Sequence, residues 1–170
     1  MFLNPEEILK NIKLRENMIA ADFGCGSGGF TIPLAKYLKN GFVYAIDIQE
    51  EPLNVLKSRS LDISNIRIHK ADLEQPGSSK IPDHSLDLVL LVNVLFQAEE
   101  PGIILQEIKR VLKPGADLLV IDWQENASQG PEGKRVSLEK AQNLAEEKGF
   151  KKEKDFEAGH YHYGLLMKKA

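Results

Sequence analysis

The sequence predicts an α/β fold with a doubly wound, mostly parallel seven-stranded sheet, helices on both faces and an antiparallel C-terminal strand. Three observations carry this prediction. Short apolar runs alternate with segments of helical period through residues 18–149, as in parallel strands joined by crossover helices. Leu86–Val92 is apolar at nearly every position, which is typical of a strand covered on both faces. The last two strand-like runs are too close together for a crossover helix, so they should pair antiparallel.

The length and composition fit one globular domain. The chain has 170 residues, of which 42% are hydrophobic and 28% charged, and it contains no internal repeat or dividing linker. We therefore expect a single domain over residues 1–170. The formal net charge of −3 argues against nucleic acid as a partner, because phosphate binding requires a basic surface. The lysines of 151–155 alternate with acidic residues and predict a solvated stretch.

Cellular location and metal content are constrained by what the sequence lacks. Cys25 is the only cysteine, so neither an intrachain disulfide nor a thiolate zinc site can form. No apolar run approaches the roughly 20 residues of a membrane span. The first residues do not resemble a signal peptide, and we expect a cytoplasmic protein.

The N-terminal segment predicts a short helix followed by a buried strand. Asn4 is a suitable N-cap, Pro5 takes the first helical position and Glu7 the third. Residues 18–23 then form an apolar run of strand length.

The next helix is predicted from its apolar spacing. Its apolar face is expected to comprise Phe30, Leu34, Tyr37 and Leu38. The remaining strand-like runs are, in order, residues 42–48, 66–69, Leu86–Val92, 117–122, 151–156 and 161–168. Helices are predicted between them at 52–60, 104–112 and 137–149, the last capped by Ser137.

A glycine-rich loop joins the first strand to the next helix. Gly24, Gly26 and Gly29 fit the G-x-G-x-x-G pattern, which lets a ligand approach the backbone closely. That spacing alone is weak, but it lies between a strand and a helix, and Asp47 closes the second strand. A carboxylate at that place can accept both hydroxyls of a ribose.

Two further carboxylates favour S-adenosylmethionine over a dinucleotide. Asp22 stands two residues before the first glycine, where it would repel a pyrophosphate but attract an ammonium or a sulfonium. Asp72, after the third strand, can accept from the amino group of adenine, while the N–H of Leu73 faces a ring nitrogen. Two plainer interpretations stay open: Asp22 caps the following turn, or Asp72 is an ordinary loop aspartate.

These residues resemble the motifs of a known family. Residues 21–31, Asp47, Asp72, 87–95 and 112–116 are similar, in order and spacing, to the motifs of class I (Rossmann-like) S-adenosylmethionine-dependent methyltransferases. The likeness covers nearly the whole chain. It is greatest for the small UbiE/menaquinone-methyltransferase-like group, partly through three features, which are Asp122-Trp123, Gly130-Pro131 and Arg135.

The resemblance implies a set of cofactor-binding residues. The set comprises Asp22, Gly24, Cys25, Gly26, Gly28, Asp47, Ile48, Asp72, Leu73 and Asn93. The glycines would line the methionine and the ribose, Asp22 would lie near the amino group, and Ile48 would pack on adenine. Asn93 would lie beside the methionine at the acceptor entrance. Cys25 is expected to be a small buried residue rather than a nucleophile.

The sequence assigns no catalytic residue and no metal ligand. Since the sulfonium is already electrophilic, the protein has to position the acceptor and exclude water. Candidates near the acceptor are Asn93, Gln97, Asp122, Trp123 and Arg135. The histidines are expected to be structural, with His160 and His162 on one face of an edge strand and Tyr161 and Tyr163 on the other.

The acceptor is expected to be a small molecule. Residues 93–96 lack the Asn/Asp-Pro-Pro-aromatic motif of nucleobase amino-methylases. Arsenite methyltransferases bind their substrate through several cysteines, and this chain has only one. Little chain surrounds the sheet where relatives build a lid, so the pocket is either open or completed by a second subunit in a homodimer. The alternatives are a non-catalytic binding or regulatory module, and an NAD(P)-binding oxidoreductase, for which the chain offers no catalytic Tyr-Lys pair.

Overall fold

The computed structural model describes residues 3–170 and places seven strands of this range in one sheet. The strands are β1 (Ile19–Phe23), β2 (Phe42–Asp47), β3 (Ile66–Lys70), β4 (Leu86–Val92), β5 (Leu112–Trp123), β6 (Phe150–Glu157) and β7 (His162–Lys169). The helices are α1 (Pro5–Leu9), α2 (Thr31–Tyr37), α3 (Glu50–Arg59), α4 (Pro101–Val111) and α5 (Leu138–Glu147), with a helical turn at Leu95–Gln97.

The predicted sheet is confirmed. The strand order is β3-β2-β1-β4-β5-β7-β6, and β1 to β5 pair in parallel with one another. β7 runs antiparallel to both β5 and β6. The order reverses between β2-β1 and β4-β5, so the carboxyl ends of β1, β2 and β4 border one crevice, the usual place of a ligand in this architecture.

Alternation along the central strands supplies a core on each face of the sheet. Ala21 and Phe23 pack with residues of α4 and α5, whereas Ala20 packs with α1 and α2. β4 contributes to both clusters, which explains why its sequence is apolar almost throughout.

Both predicted N-caps are confirmed. The side chain of Asn4 accepts a hydrogen bond from the backbone N–H of Glu7 at 3.3 Å, with Pro5 as the first helical residue. Ser137 accepts from the N–H of Lys140 at 3.2 Å. Within residues 3–170, no helix combines the length and the apolar character that crossing a bilayer would demand.

Three local predictions are wrong. Tyr37, the last residue of the short helix α2, is 48% exposed, whereas Leu34 and Leu38 of the predicted apolar face are buried. β5 starts at Leu112 instead of 117, since an irregularity in its pairing with β4 accommodates the Pro114–Gly115 turn. β7 is not an edge strand: it lies between β5 and β6, so that His162 is buried.

Candidate functional site

Two adjoining cavities lie beyond the carboxyl ends of the central strands. The larger has a volume of about 420 Å³ and the smaller about 220 Å³. Gly24, Val92 and Asn93 line both, so the two cavities form one cleft. This is the place where the doubly wound topology predicts a ligand.

Backbone hydrogen bonds fix the glycine loop at the end of β1. The N–H groups of Gly24 and Cys25 donate to the carbonyl of Ile46 on β2, at 2.8 and 2.9 Å. Gly26 has φ +52°, and a Cβ at this position would meet no heavy atom within 4 Å, so its backbone opens into the larger cavity. A ligand can therefore approach the loop closely there.

Gly28 and Cys25 lie differently in the loop. A Cβ on Gly28 would lie 2.3 Å from Cδ1 of Leu56, so this glycine faces α3, and it is not among the residues lining either part of the cleft. Cys25 is buried and borders the smaller cavity. Burial, and to a lesser extent the charges of Asp22 and Asp47, raise the pKa of its thiol, which keeps it neutral. A neutral, buried thiol is a poor nucleophile.

Asp47 ends β2 and lines the larger cavity. Its Oδ2 accepts from the N–H of Gly26 at 2.8 Å, and its Oδ1 accepts from the N–H of Gln49 at 2.9 Å. Each carboxylate oxygen has a second lone pair, so both can also accept a ligand hydroxyl. Ile48 follows it, lines the same cavity and is 55% exposed.

Asp72 and Leu73, which follow β3, also line the larger cavity. The carboxylate of Asp72 accepts from the N–H of Glu74 at 2.9 Å, which is the local turn that the plainer interpretation of this residue anticipates. The hydroxyl of Ser78 donates to its carbonyl. Asp72 therefore stabilises its own loop and presents its carboxylate to the cavity as well.

Asp22 borders the smaller cavity from β1. Its side chain is 2% exposed, and the hydroxyl of Thr31, the first residue of α2, donates to its Oδ2 at 2.6 Å. Burial raises the pKa of this carboxyl to about 6; the hydrogen bond from Thr31 lowers it and the charge of Asp47 raises it further. The structure thus contains the contact expected for a turn cap and also places the carboxyl at the cleft.

Asn93 lies at the junction of the two cavities. It has φ +56°, a conformation that is strained for a residue with a side chain and that often marks functional sites. Its N–H donates to Ile121 and its carbonyl accepts from Gln97, both at 2.8 Å. Its buried Oδ1 has no hydrogen-bond partner among residues 3–170. This buried oxygen is therefore available to accept a hydrogen bond from a bound ligand.

Of the acceptor-side candidates, Asn93 and Gln97 line the cleft, whereas Asp122, Trp123 and Arg135 do not. Asp122 is fully buried and accepts from the N–H groups of Trp123 at 2.8 Å and Phe96 at 3.3 Å. These bonds hold the Leu95–Gln97 turn against β5. Burial raises the pKa of Asp122 to about 6, an effect these hydrogen bonds oppose.

The histidines lie outside the cleft. His69 and His84 make hydrogen bonds with Ser78 and with Lys169, at 3.2 and 2.9 Å, far along the chain from the glycine loop. His160 is exposed, and His162 packs on Trp123. Among the residues that the structure describes, no group of three or more His, Cys, Asp or Glu side chains is arranged to hold a metal ion.

Several lining residues were not predicted from the sequence. They are Gln49, Pro52, Glu74, Val94, Ala98 and Ile104 in the larger cavity, and Leu3, Ser27 and Phe30 in the smaller. Most directly follow a predicted site residue in the chain, and that adjacency is the signal that could have identified them. Ile104, on α4, has no such signal, and neither have Pro52 and Leu3.

Comparison with known proteins agrees with this geometry. A family model described as a methyltransferase domain matches residues 21–120. The demethylmenaquinone methyltransferase of Staphylococcus aureus is 31% identical over 122 residues, which cover 71% of this chain and 49% of that protein. The chain thus spans about half the length of the curated relatives it matches.

Solved structures share the fold over almost the whole chain. A SAM-dependent methyltransferase from Aquifex aeolicus superposes with a TM-score of 0.90 at 30% identity, covering 99% of this chain and 91% of that one. The [4+2]-cyclase SpnF has a TM-score of 0.83 at 16% identity, covering 97% and 79%. The second likeness shows the fold alone, and a fold by itself does not determine a reaction.

Proposed function

The chain belongs to the methyltransferase domain family, whose members use S-adenosylmethionine, and we propose that it transfers the methyl group of this cofactor to a small molecule. One observation carries the proposal. Asp22, Asp47 and Asp72, which lie at or near the carboxyl ends of three adjacent parallel strands, all line one cleft with Asn93, whose amide oxygen has no partner in the described chain. This set of acceptors matches a ligand rich in hydrogen-bond donors and positive charge.

The adenosine part fits the larger cavity. Ile48 and Leu73 would offer apolar surface to adenine, and Asp72 would offer an acceptor to its amino group. Asp47 would hold the ribose hydroxyls with the lone pairs that its bonds to the loop leave available. Gly26 leaves room for the sugar beside the backbone.

The methionine part fits the smaller cavity. Its ammonium would donate to the carboxylate of Asp22 and to Oδ1 of Asn93, which is otherwise without a partner in the described chain. A pyrophosphate would face the carboxylates of Asp22 and Asp47 at this place, and their charges would repel it. This set of hydrogen-bond acceptors therefore supports a sulfonium cofactor over a dinucleotide.

The chemistry asked of the protein is positioning. When bound, S-adenosylmethionine supplies a methyl group on a positively charged sulfur, which is electrophilic without further activation. The cleft residues hold the adenosine and the amino group, and Asn93 with Gln97 borders the acceptor entrance. Phe30, Val92 and Leu3 give the smaller cavity apolar walls.

The acceptor is proposed to be uncharged or cationic. Among the residues that line the two cavities there is no Lys or Arg, whereas carboxylates of three strands face them. An anionic acceptor would therefore be repelled, in agreement with the net charge of −3.

A single buried cysteine fits a reducing cytoplasm, which we propose as the location. Completion of the pocket by a second subunit stays a prediction, as does the single-domain organisation.

Replacing Asp47 by Ala is expected to weaken cofactor binding. The variant loses the acceptor for the ribose hydroxyls and one anchor of Gly26, a loss of about 1.5–3 kcal/mol for charge-assisted hydrogen bonds. Isothermal titration with S-adenosylmethionine, S-adenosylhomocysteine and NAD measures this. Asp62→Ala, at an exposed position outside the cleft, is the matched control and should bind as the wild type does.

Two results of that titration contradict the proposal in different ways. If NAD binds to the wild type and neither adenosyl ligand does, the glycine loop serves a dinucleotide. If no ligand binds, the cleft is not a functional cofactor site, and the non-catalytic alternative replaces the enzyme.

A further inference from the structure

The connection between β3 and β4, residues 71–85, carries the adenine side of the proposed cofactor site. It begins with Ala71, Asp72 and Leu73, which all line the larger cavity. The other connections between successive parallel strands contain α2, α3 and α4, whereas this one contains only turns. Because it lacks the backbone hydrogen bonds of a helix, contacts with neighbouring elements have to fix its conformation.

Two apolar side chains attach this connection to the core. Leu73 and Ile81 are buried, and both belong to the cluster that packs under α4 and α5. Residues 75–77, which lie between them, are exposed. Since apolar burial is non-directional, these two contacts hold the connection near the core but do not set the path of the backbone between them.

Hydrogen bonds inside the connection link its middle to Asp72. The hydroxyl of Ser78 donates to the carbonyl of Asp72 at 2.5 Å, and the N–H of Gln75 donates to the same oxygen at 3.0 Å. The next residue, Ser79, is buried, and its hydroxyl accepts from the N–H of Ile81 at 3.3 Å. Because Ser78 and Ser79 are adjacent, a displacement of Ser79 shifts the hydrogen bond that holds Asp72.

Glu107, in the middle of α4, holds Ser79 in place. The hydroxyl of Ser79 donates to Oε1 of Glu107, whose side chain is only 3% exposed. The other buried residues of α4 are all apolar, namely Ile104, Leu105, Ile108 and Val111. A carboxylate among them loses hydration that an aliphatic side chain would not lose, so the packing of α4 alone does not favour glutamate at this position.

Arg110, one turn later in α4, fixes the orientation of this carboxylate. Its Nε donates to Oε2 of Glu107 at 2.9 Å, and its Nη2 donates to Oε1 at 2.7 Å. Its Nη1 pairs with Asp83, nearer the end of the connection. A guanidinium that donates two parallel bonds leaves a carboxylate little freedom to rotate. The Glu107–Arg110 pair therefore grips the 71–85 connection at two places, Ser79 and Asp83.

We propose that Glu107 is a positioning residue for the cofactor: with Arg110 it holds the 71–85 connection so that the carboxylate of Asp72 meets the amino group of adenine. Glu107 lines neither part of the cleft, so it acts through Ser79 and not by contact with the ligand. The preference for adenine over a base without the amino group depends on it. The proposal rests on the proposed function, because Asp72 has this role only if an adenosyl ligand occupies the larger cavity.

S-Inosylhomocysteine is the probe for this contact. It has the structure of S-adenosylhomocysteine except at the base, where a carbonyl replaces the amino group. That carbonyl would face the carboxylate of Asp72, so the wild type should bind the inosyl ligand about 10- to 100-fold more weakly. Isothermal titration of both ligands gives this ratio of affinities. A general loss of stability lowers the binding-competent fraction and hence both affinities equally, so that it leaves the ratio unchanged.

Glu107→Met is expected to lower this ratio at least about threefold. Methionine has a similar length and favours a helix, but it cannot accept from Ser79, which then keeps only a 3.4 Å hydrogen bond from Arg110 on the side of α4. Arg110 is 30% exposed and retains Asp83 as its partner, so no buried charge is left unpaired. The midpoint of urea unfolding should therefore stay close to that of the wild type while the ratio falls.

Ser79→Ala tests the same contact from the other side and should lower the ratio as well. Both changes break one hydrogen bond, so the ratio of the double variant should lie within about twofold of the lower single variant. Glu139→Met, the same substitution at an exposed position of α5, is the matched control and should keep the ratio of the wild type.

The outcomes distinguish this proposal from the proposed function. If S-adenosylhomocysteine does not bind the wild type, the proposed function fails first. If it binds but the ratio is the same in the wild type, Glu107→Met and Ser79→Ala, the pair only packs α4 against the connection, and the methyltransferase assignment stands without this proposal. A wild type that does not distinguish the two ligands overturns the proposal in the same way. If Glu107→Met does not fold, the ratio of Ser79→Ala decides.

Discussion

Gly41→Ala is expected to cost about 4 kcal/mol or more of the free energy of unfolding, or to prevent folding altogether. A Cβ on Gly41 would lie 1.8 Å from the backbone oxygen of Met18 and 2.8 Å from its carbonyl carbon. Both atoms belong to the backbone directly before β1, and they cannot move without breaking the Ile19–Phe42 pairing that starts the β1–β2 ladder. The two strands carry the glycine loop and Asp47, so the cofactor cleft is lost with the fold.

Gly102→Ala is the control for this change. Gly102 lies in the first turn of α4, and an added Cβ would meet only the flexible end of Lys148 at 3.6 Å. The same substitution should therefore stabilise the protein slightly, by at most about 1 kcal/mol, because alanine favours a helix. Urea unfolding followed by circular dichroism measures both variants. Equal free energies of unfolding for Gly41→Ala and the wild type would show that the backbone at this place can shift freely.

The sheet could be predicted because its signals are local and independent of one another. Leu86–Val92 is apolar because both faces of β4 are covered, and the close spacing of β6 and β7 permits only antiparallel pairing. The position of β7 between β5 and β6 could not be predicted in this way. Whether a strand lies at an edge depends on which neighbour it pairs with over long range, and the exposed charges of β6 are the clearest sign that β6 is the edge.

The cofactor side of the cleft was easier to predict than the acceptor side. Asp22, Gly26 and Asp47 follow from the strand–loop–helix topology, which places the ends of β1 and β2 together whatever the remaining sequence. Trp123 and Arg135 depend on a loop with no periodic pattern. The guanidinium of Arg135 could equally have faced a ligand, and only the positions of four carbonyls show that it binds its own loop.

Asp22→Asn is expected to change the pH dependence of stability and to weaken cofactor binding. Burial raises the pKa of Asp22 to about 6, above its unfolded value of 3.8, so the folded state holds a proton that the unfolded state has released between these values. The stability that Asp22 contributes is fully present below pH 3.8 and is lost as the pH rises through about 6. At about 1.4 kcal/mol per pKa unit, this loss is up to about 3 kcal/mol.

The asparagine does not titrate. The free energy of unfolding of the wild type, relative to that of the variant, should therefore be up to about 3 kcal/mol higher at pH 4 than at pH 7.5. Asp122, buried with a raised pKa in the same range, is present in both proteins and cancels in the difference. Urea unfolding at a series of pH values measures the free energies. A constant difference across pH 4 to 7.5 would mean that Asp22 titrates as an exposed carboxyl does.

At pH 7.5 the same substitution is expected to weaken cofactor binding, although it removes a destabilising buried charge. The ammonium of the methionine part needs a carboxylate in the smaller cavity, and an amide in its place should lower S-adenosylhomocysteine affinity by about 10- to 100-fold at pH 7.5. Asn keeps an oxygen for the hydroxyl of Thr31, so the start of α2 is preserved and the loss belongs to the ligand contact. Unchanged affinity in a folded variant would assign Asp22 to the turn alone. If the variant binds S-adenosylhomocysteine more weakly and its free energy of unfolding changes less with pH, the buried charge of Asp22 destabilises the protein but is required by the cofactor.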